Sequence, residues 1–265
     1  MRLSAVDTRD VKETADQAGE SKPVEWGARL GFAVSGVLHL LIAWIALKVA
    51  WSSSSGSASQ SGALSTVAHS PGGPLLLWVV VAGFALLAVW QLTLVFRSDS
   101  VTDRLQAAGS MVVYLALGWT AFKFATGSPT SSNGRTEDFT ASLMHHPGGR
   151  IAVAAVGLGV IAVGGYHVYK GWTKGFMEDL QEHPGKTLVE IARVGYIAKG
   201  VALFLVGLLF LIAAIRNAPS KSTGLDGGLR TLRDAPGGTW LLSAVAVGIA
   251  AYGVFALARA RYART

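Results

Sequence analysis

Six apolar runs constrain this chain more than any other feature. They cover Leu30–Trp51, Leu75–Phe96, Ala107–Ala125, Ile151–Tyr169, Val194–Ile215 and Trp240–Leu257, and none holds Asp or Glu. A helix crossing a bilayer needs about 20 predominantly apolar residues. No series of short alternating segments points instead to a β-barrel. Charged residues are 15% of the 265, against roughly 25% in soluble domains. The fold class is all-α: a polytopic membrane protein with six transmembrane helices.

Pro-Gly-Gly divides the six runs into pairs. It occurs at Pro71-Gly72-Gly73, Pro147-Gly148-Gly149 and Pro236-Gly237-Gly238, each time between a polar segment and an apolar run. This predicts three tandem helical hairpins, with proline at the start of each second helix, where its missing amide costs nothing. Before the first and third copies, Gly62-Ala63-Leu64-Ser65-Thr66-Val67 lines up with Gly227-Gly228-Leu229-Arg230-Thr231-Leu232. The middle copy keeps Ser142 and Leu143. Short interfacial helices are expected at Gly62–His69, Asp138–His145 and Gly227–Asp234. The first helices of copies one and three also match, from Arg29-Leu30-Gly31-Phe32 and Arg193-Val194-Gly195-Tyr196, whereas the middle copy offers only Arg104 and Gly109. All units start on one side, so the repeats are parallel. The expected division is a disordered tail at 1–25 and repeats at 26–100, 101–187 and 188–265.

The basic residues read as topology signals. The side holding both termini carries fourteen Lys and Arg and the other side eight, with Lys199 inside a run. The positive-inside rule then predicts both termini in the cytoplasm of a bacterial cell, with the protein in its plasma membrane. The net charge of +7 is spread beside the apolar runs and forms no nucleic-acid patch. Anionic phospholipid headgroups are the expected electrostatic partners. The chain has no cysteine, which removes disulfides and thiolate chemistry. The first two dozen residues mix both signs of charge and form no cleavable signal peptide.

At these residues the chain resembles a known family. The Arg-x-Gly-(Phe/Tyr) helices, Gly224-Leu225-Asp226-Gly227-Gly228-Leu229-Arg230-Thr231-Leu232, and the ending Tyr252-Gly253-Val254-Phe255-Ala256-Leu257-Ala258-Arg259-Ala260-Arg261-Tyr262 are similar to actinobacterial membrane proteins grouped as domain of unknown function 1206. The resemblance implies six helices in three repeats and brings no established activity.

Polar residues inside the spans are the candidates for function, because they are costly in lipid. Ser35, His39, Gln91, His167, Lys199 and Tyr252 fall in the cytoplasmic half and define an expected polar pocket opening inward, with Tyr166 nearby. The bland alternatives are single hydrogen bonds between helices and a Lys199 that snorkels to the headgroups. Gly27, Gly31, Ser35 and His39 share a helix face and read as packing. His69, His145 and Asp234 stand two residues before each Pro-Gly-Gly and form a candidate metal set, to be weighed against plain helix capping. Haem between His39 and His167 is disfavoured by their different depths, and no cofactor is expected. Phosphate-binding loops, nucleophile elbows and zinc-protease motifs are absent. The expected function is non-catalytic: a structural or accessory component binding lipid or membrane-protein partners, or a second copy of itself. A small transporter or channel is the alternative, and a membrane enzyme the third.

Overall fold

The structure is a computed structural model that describes residues 22–52, 56–98 and 100–263. Nine α-helices occur among the described residues: α1 Lys22–Trp51, α2 Gln60–Ala68, α3 Gly73–Arg97, α4 Val101–Ala125, α5 Ser132–Met144, α6 Gly149–Trp172, α7 Lys186–Arg216, α8 Leu225–Arg233 and α9 Gly238–Tyr262. Six of them (α1, α3, α4, α6, α7 and α9) are long and apolar enough to cross a membrane. The short α2, α5 and α8 all lie at one end of the bundle, here the cap end; α1 begins and α9 finishes at the other, the terminal end.

Two boundaries differ from the sequence expectation. Residues 22–25 are not tail but the first turn of α1, where Glu25 pairs with Arg29 at 2.6 Å. The division at residue 187 falls inside the first turn of α7. That helix runs on toward the terminal end because Glu190 has partners there, Lys174 at 2.6 Å and Arg193 at 3.6 Å. Residues 1–21 lie outside the described residues.

Pro-Gly-Gly also works differently from the expectation. The prolines precede the helices, which start at Gly73, Gly149 and Gly238. Each motif is a turn closed by a hydrogen bond, Gly73 N to Ser70 O at 2.9 Å, Gly149 N to His146 O at 2.9 Å and Gly238 N to Ala235 O at 2.8 Å. Proline takes the second turn position and glycine the third, with φ of 74°, 79° and 71° at Gly72, Gly148 and Gly237. That is the type II pattern, in which the third residue needs positive φ. The last glycine has its own reason: a Cβ on Gly73 would lie 2.5 Å from the Val67 and Ala68 carbonyls of α2. Each motif thus folds a short helix back against the start of the next span.

The six long helices stand in a curved row, α4–α3–α1–α9–α7–α6. Glycine sets several of the close approaches. Two residues after Arg29 and Arg193, Gly31 meets α3 and Gly195 meets α9, within the same repeat. A Cβ would stand 2.6 Å from Gly83 O and 2.6 Å from Tyr252 Cα, respectively. Seven residues after the same arginines, Gly36 meets α9 and Gly200 meets α6, and here a Cβ would lie 2.8 Å from Gly253 O and 2.6 Å from Gly164 O. Small residues let backbones touch where lipid provides no hydrophobic drive.

The middle repeat breaks this pattern. In the register of Arg104 the two glycine positions hold Gln106 and Met111. Helices α4 and α6, although partners within one repeat, do not pack on each other. Among the described residues one long hydrogen bond joins them, Tyr166 Oη donating to Gln106 Oε1 at 3.5 Å. Only 17% of the apolar stretch of each is buried, against 39–50% in the other four. The row therefore remains open along a seam between α4 and α6.

Candidate functional site

Two polar constellations occur, one at each end of the bundle. The first is at the cap. The N-terminal ends of α2, α5 and α8 converge, and Ser61 N and Ser132 N each donate to the other's hydroxyl, at 3.3 and 3.1 Å. Asp226, 4% exposed, lies where these ends meet. It accepts from Ala58 N at 2.6 Å, Asn133 Nδ2 at 3.1 Å and Arg230 Nε at 3.0 Å, while Arg230 Nη2 reaches Gly56 O at 2.7 Å. One carboxylate therefore ties all three repeats together, in a place where positive helix ends favour a negative charge. Leu64 of α2 and Leu229 of α8, matched positions of two repeats, are both fully buried.

This convergence decides the candidate metal set. Because the short helices meet at their N-terminal ends, their C-terminal ends point outward. His69, His145 and Asp234 are the exposed C-caps of α2, α5 and α8, with their backbone amides bonded one turn back. Among the described residues no three His, Asp or Glu side chains gather as a metal site. The expectation of a metal set at these residues is therefore corrected to one of capping.

The second constellation occupies the terminal half. His39 of α1 donates from Nδ1 to Ser35 O at 2.7 Å, with the Ser35 hydroxyl 3.5 Å away. Its ring lies 4.9 Å from that of Tyr252 on α9. Over Tyr252 stands Lys199 of α7, its ammonium 4.0 Å from the ring centroid. Tyr252 touches Tyr196 at 5.4 Å, and Tyr196 stacks on His167 of α6 at 5.9 Å. His167 donates from Nδ1 to Val163 O at 2.9 Å. Two tyrosine rings stand in the line of contacts between the histidines, which leaves no common haem between them.

Of the six expected pocket residues the structure gathers Ser35, His39, His167, Lys199 and Tyr252. Gln91 is buried on α3 beside Trp90, and among the described residues no hydrogen bond links it to the cluster. Three members escaped the sequence reading. Tyr196 is the aromatic of Arg-x-Gly-Tyr, Tyr114 of α4 stacks on Phe84 at 6.2 Å, and Arg259 lies 4.2 Å over the Phe32 ring. Arg259 resembles any basic residue near a helix end, so only its place on the Tyr252 face, two turns on, could have marked it. Two shallow grooves of about 520 and 530 Å³ both lie at the cap end, and neither is lined by this cluster.

Six membrane-crossing helices in three like units, each with a short helix folded back by Pro-Gly-Gly, define a multi-pass membrane protein built of parallel repeats. The chain belongs to the family described as Domain of Unknown Function (DUF1206), whose model matches three times, at residues 30–97, 105–174 and 194–263. Those starts place Gln106 and Met111 in register with the glycines of the other repeats. The uncharacterised protein YxxB of Bacillus subtilis (strain 168) is 26% identical over 258 residues, covering 92% of this chain and 93% of that one. No solved structure matches.

Proposed function

We propose that the protein is a non-catalytic accessory component of a bacterial plasma membrane, acting by binding lipid or a membrane-protein partner. The observation that carries this reading is the seam. Two spans of one repeat face each other without packing, and each leaves apolar side chains uncovered on the face of the Gln106–Tyr166 contact, Val113 on α4 and Val163 on α6. In a bilayer some apolar component fills such a gap, and its walls give that component a shaped binding surface. Purification in mild detergent followed by mass spectrometry of bound lipid and protein tests this. A component retained in near-stoichiometric amount supports it, and a bare monomer overturns it.

A small transporter is the second reading, favoured by Lys199, a cation set among polar groups of several helices. It requires uptake or release of a solute by reconstituted vesicles, which the accessory reading does not.

The terminal end faces the cytoplasm in this proposal, by the fourteen-to-eight count of Lys and Arg. Reporter fusions after Thr265 and within residues 52–61 are expected to report cytoplasm and exterior, respectively. An external report from the C-terminal fusion reverses the orientation.

A further inference from the structure

Lys199 and Arg259 are cations within the terminal half of the bundle, and among the described residues neither forms a salt bridge. Lys199 lies over the Tyr252 ring within reach of its hydroxyl, and Arg259 lies over the Phe32 ring. The Arg259 Nε is buried without a hydrogen-bond partner. Asp179, the nearby carboxylate, is held by Lys170 at 2.8 Å. A cation–π contact is a modest attraction. The penalty for a lysine well inside a membrane helix exceeds it even on the mildest scale. The Tyr252 ring alone does not offset that penalty for Lys199, and Arg259, nearer its helix end, keeps a buried unpartnered Nε.

Helix direction brings the two charges toward one place. Side chains tilt toward the N-terminus of their own helix, and α7 and α9 run antiparallel. Lys199 therefore leans toward the terminal end and Arg259 toward the cap end. Tyr252 stands between them, within the electrostatic reach of both. Tyr114 of α4, stacked on Phe84, is in electrostatic reach of Tyr252 and Arg259. Tyr114, His39, His167, Lys199 and Arg259 are all only half-buried. Tyr114 belongs to α4 and His167 to α6, so the cluster draws on both helices that border the seam.

We infer that Lys199 and Arg259 form a binding site for the phosphate of an anionic phospholipid, which enters from the leaflet at the terminal end through the seam between α4 and α6. The chemistry required is one or two negative oxygens for the two cations, with tyrosine hydroxyls as further donors. The apolar seam, bridged near its terminal mouth by the long 3.5 Å contact of Tyr166 with Gln106, selects a lipid over a soluble anion, because it accommodates acyl chains in continuity with the bilayer once that contact parts. Under the orientation proposed above, this is the cytoplasmic leaflet, where anionic lipids add attraction for basic residues. The site deepens the accessory reading and rests on it.

The test uses the full chain, delipidated in mild detergent, with phosphatidylglycerol added and the melting temperature followed. Phosphatidylglycerol is expected to raise the melting temperature of the wild type. The apparent affinity falls about tenfold or more in Lys199→Met and in Arg259→Met, as for loss of one charge-assisted contact. Lys199→Arg and Arg259→Lys retain most of it, and Lys48→Met, an exposed cation over Trp44 at the cap end, is unchanged. Should the methionine variants not fold, Lys199→Gln and Arg259→Gln replace them. Equal responses in wild type and variants, or equal responses to phosphatidylcholine and phosphatidylglycerol, overturn the site. A full response to inorganic phosphate alone also overturns it, and assigns the cations to a soluble anion. Lipid retained equally by the variants removes this site and leaves the seam reading standing. A wild type that holds neither lipid nor protein removes both.

Discussion

Asp226→Ala is expected to loosen the whole cap, although no catalytic or ligand role is assigned to it. The substitution removes the acceptor of three hydrogen bonds, from Ala58 N, Asn133 Nδ2 and Arg230 Nε. It leaves Ala58 N in a buried place without a partner, and Arg230 with only the Gly56 carbonyl. Removing one member of a buried charge pair costs about 3–5 kcal/mol. Arg230 is partly exposed and recovers some hydration, so roughly 3 kcal/mol is expected. Asp226→Asn keeps one acceptor oxygen and is expected to cost less. Arg230→Met, which leaves the carboxylate two amide donors, falls between them. Thermal melting in detergent gives the ranking, and proteolysis within residues 56–59 and 126–131 gives the locality. An Asp226→Ala protein as stable as wild type rules out Asp226 as the latch that ties the three repeats together.

The spans were legible because a bilayer makes one demand on sequence, and composition answers it. The seam was legible in part. The middle repeat lacks the Arg-x-Gly-(Phe/Tyr) pattern, and the structure shows what that lack does: Gln106 and Met111 stand where close helix contact needs glycine. Pro-Gly-Gly was legible as punctuation but not as geometry. Proline at a helix start and proline in a type II turn look alike until the φ of the next glycine is known. The latch was not legible at all, since Asp226 finds Ala58 and Asn133 at sequence separations of 168 and 93 residues. In the terminal cluster, counting turns placed His167, Lys199 and Tyr252 at compatible depths, with His39 deeper. The same counting put Gln91 there, yet depth along a helix says nothing about which way a side chain faces. Arg259 was hidden by its position, because a basic residue near the end of a span is ordinarily a topology signal.

Gly200→Leu is expected to be the most damaging single change to the bundle, and Gly159→Leu nearly silent. Both replace a glycine in the middle of an apolar span with the commonest membrane residue, so helix propensity and hydropathy favour both substitutions equally. They differ in what the new side chain meets. At Gly200 a Cβ alone would lie 2.6 Å from Gly164 O and 2.9 Å from Val168 N, backbone atoms of α6 that cannot rotate away. The Gly164 and Gly200 backbones must separate, and the matched contact of Gly157 with Gly207, where a Cβ would stand 2.7 Å from the opposing carbonyl, opens with them. Overpacking a well-filled site costs about 1–3 kcal/mol, and more where backbone must move. Helix α6 has little else to hold it, since it does not pack on α4 and α7 is its one long-helix neighbour among the described residues. Gly159 has nothing within 4 Å of where its Cβ would lie, so leucine there only adds apolar surface toward lipid. Melting temperature in detergent and disulfide capture between introduced cysteines on α6 and α7 give the comparison without interference, as the chain has no cysteine of its own. A Gly200→Leu protein that melts with the wild type and still forms the α6–α7 crosslink would show that glycine contact does not hold this pair.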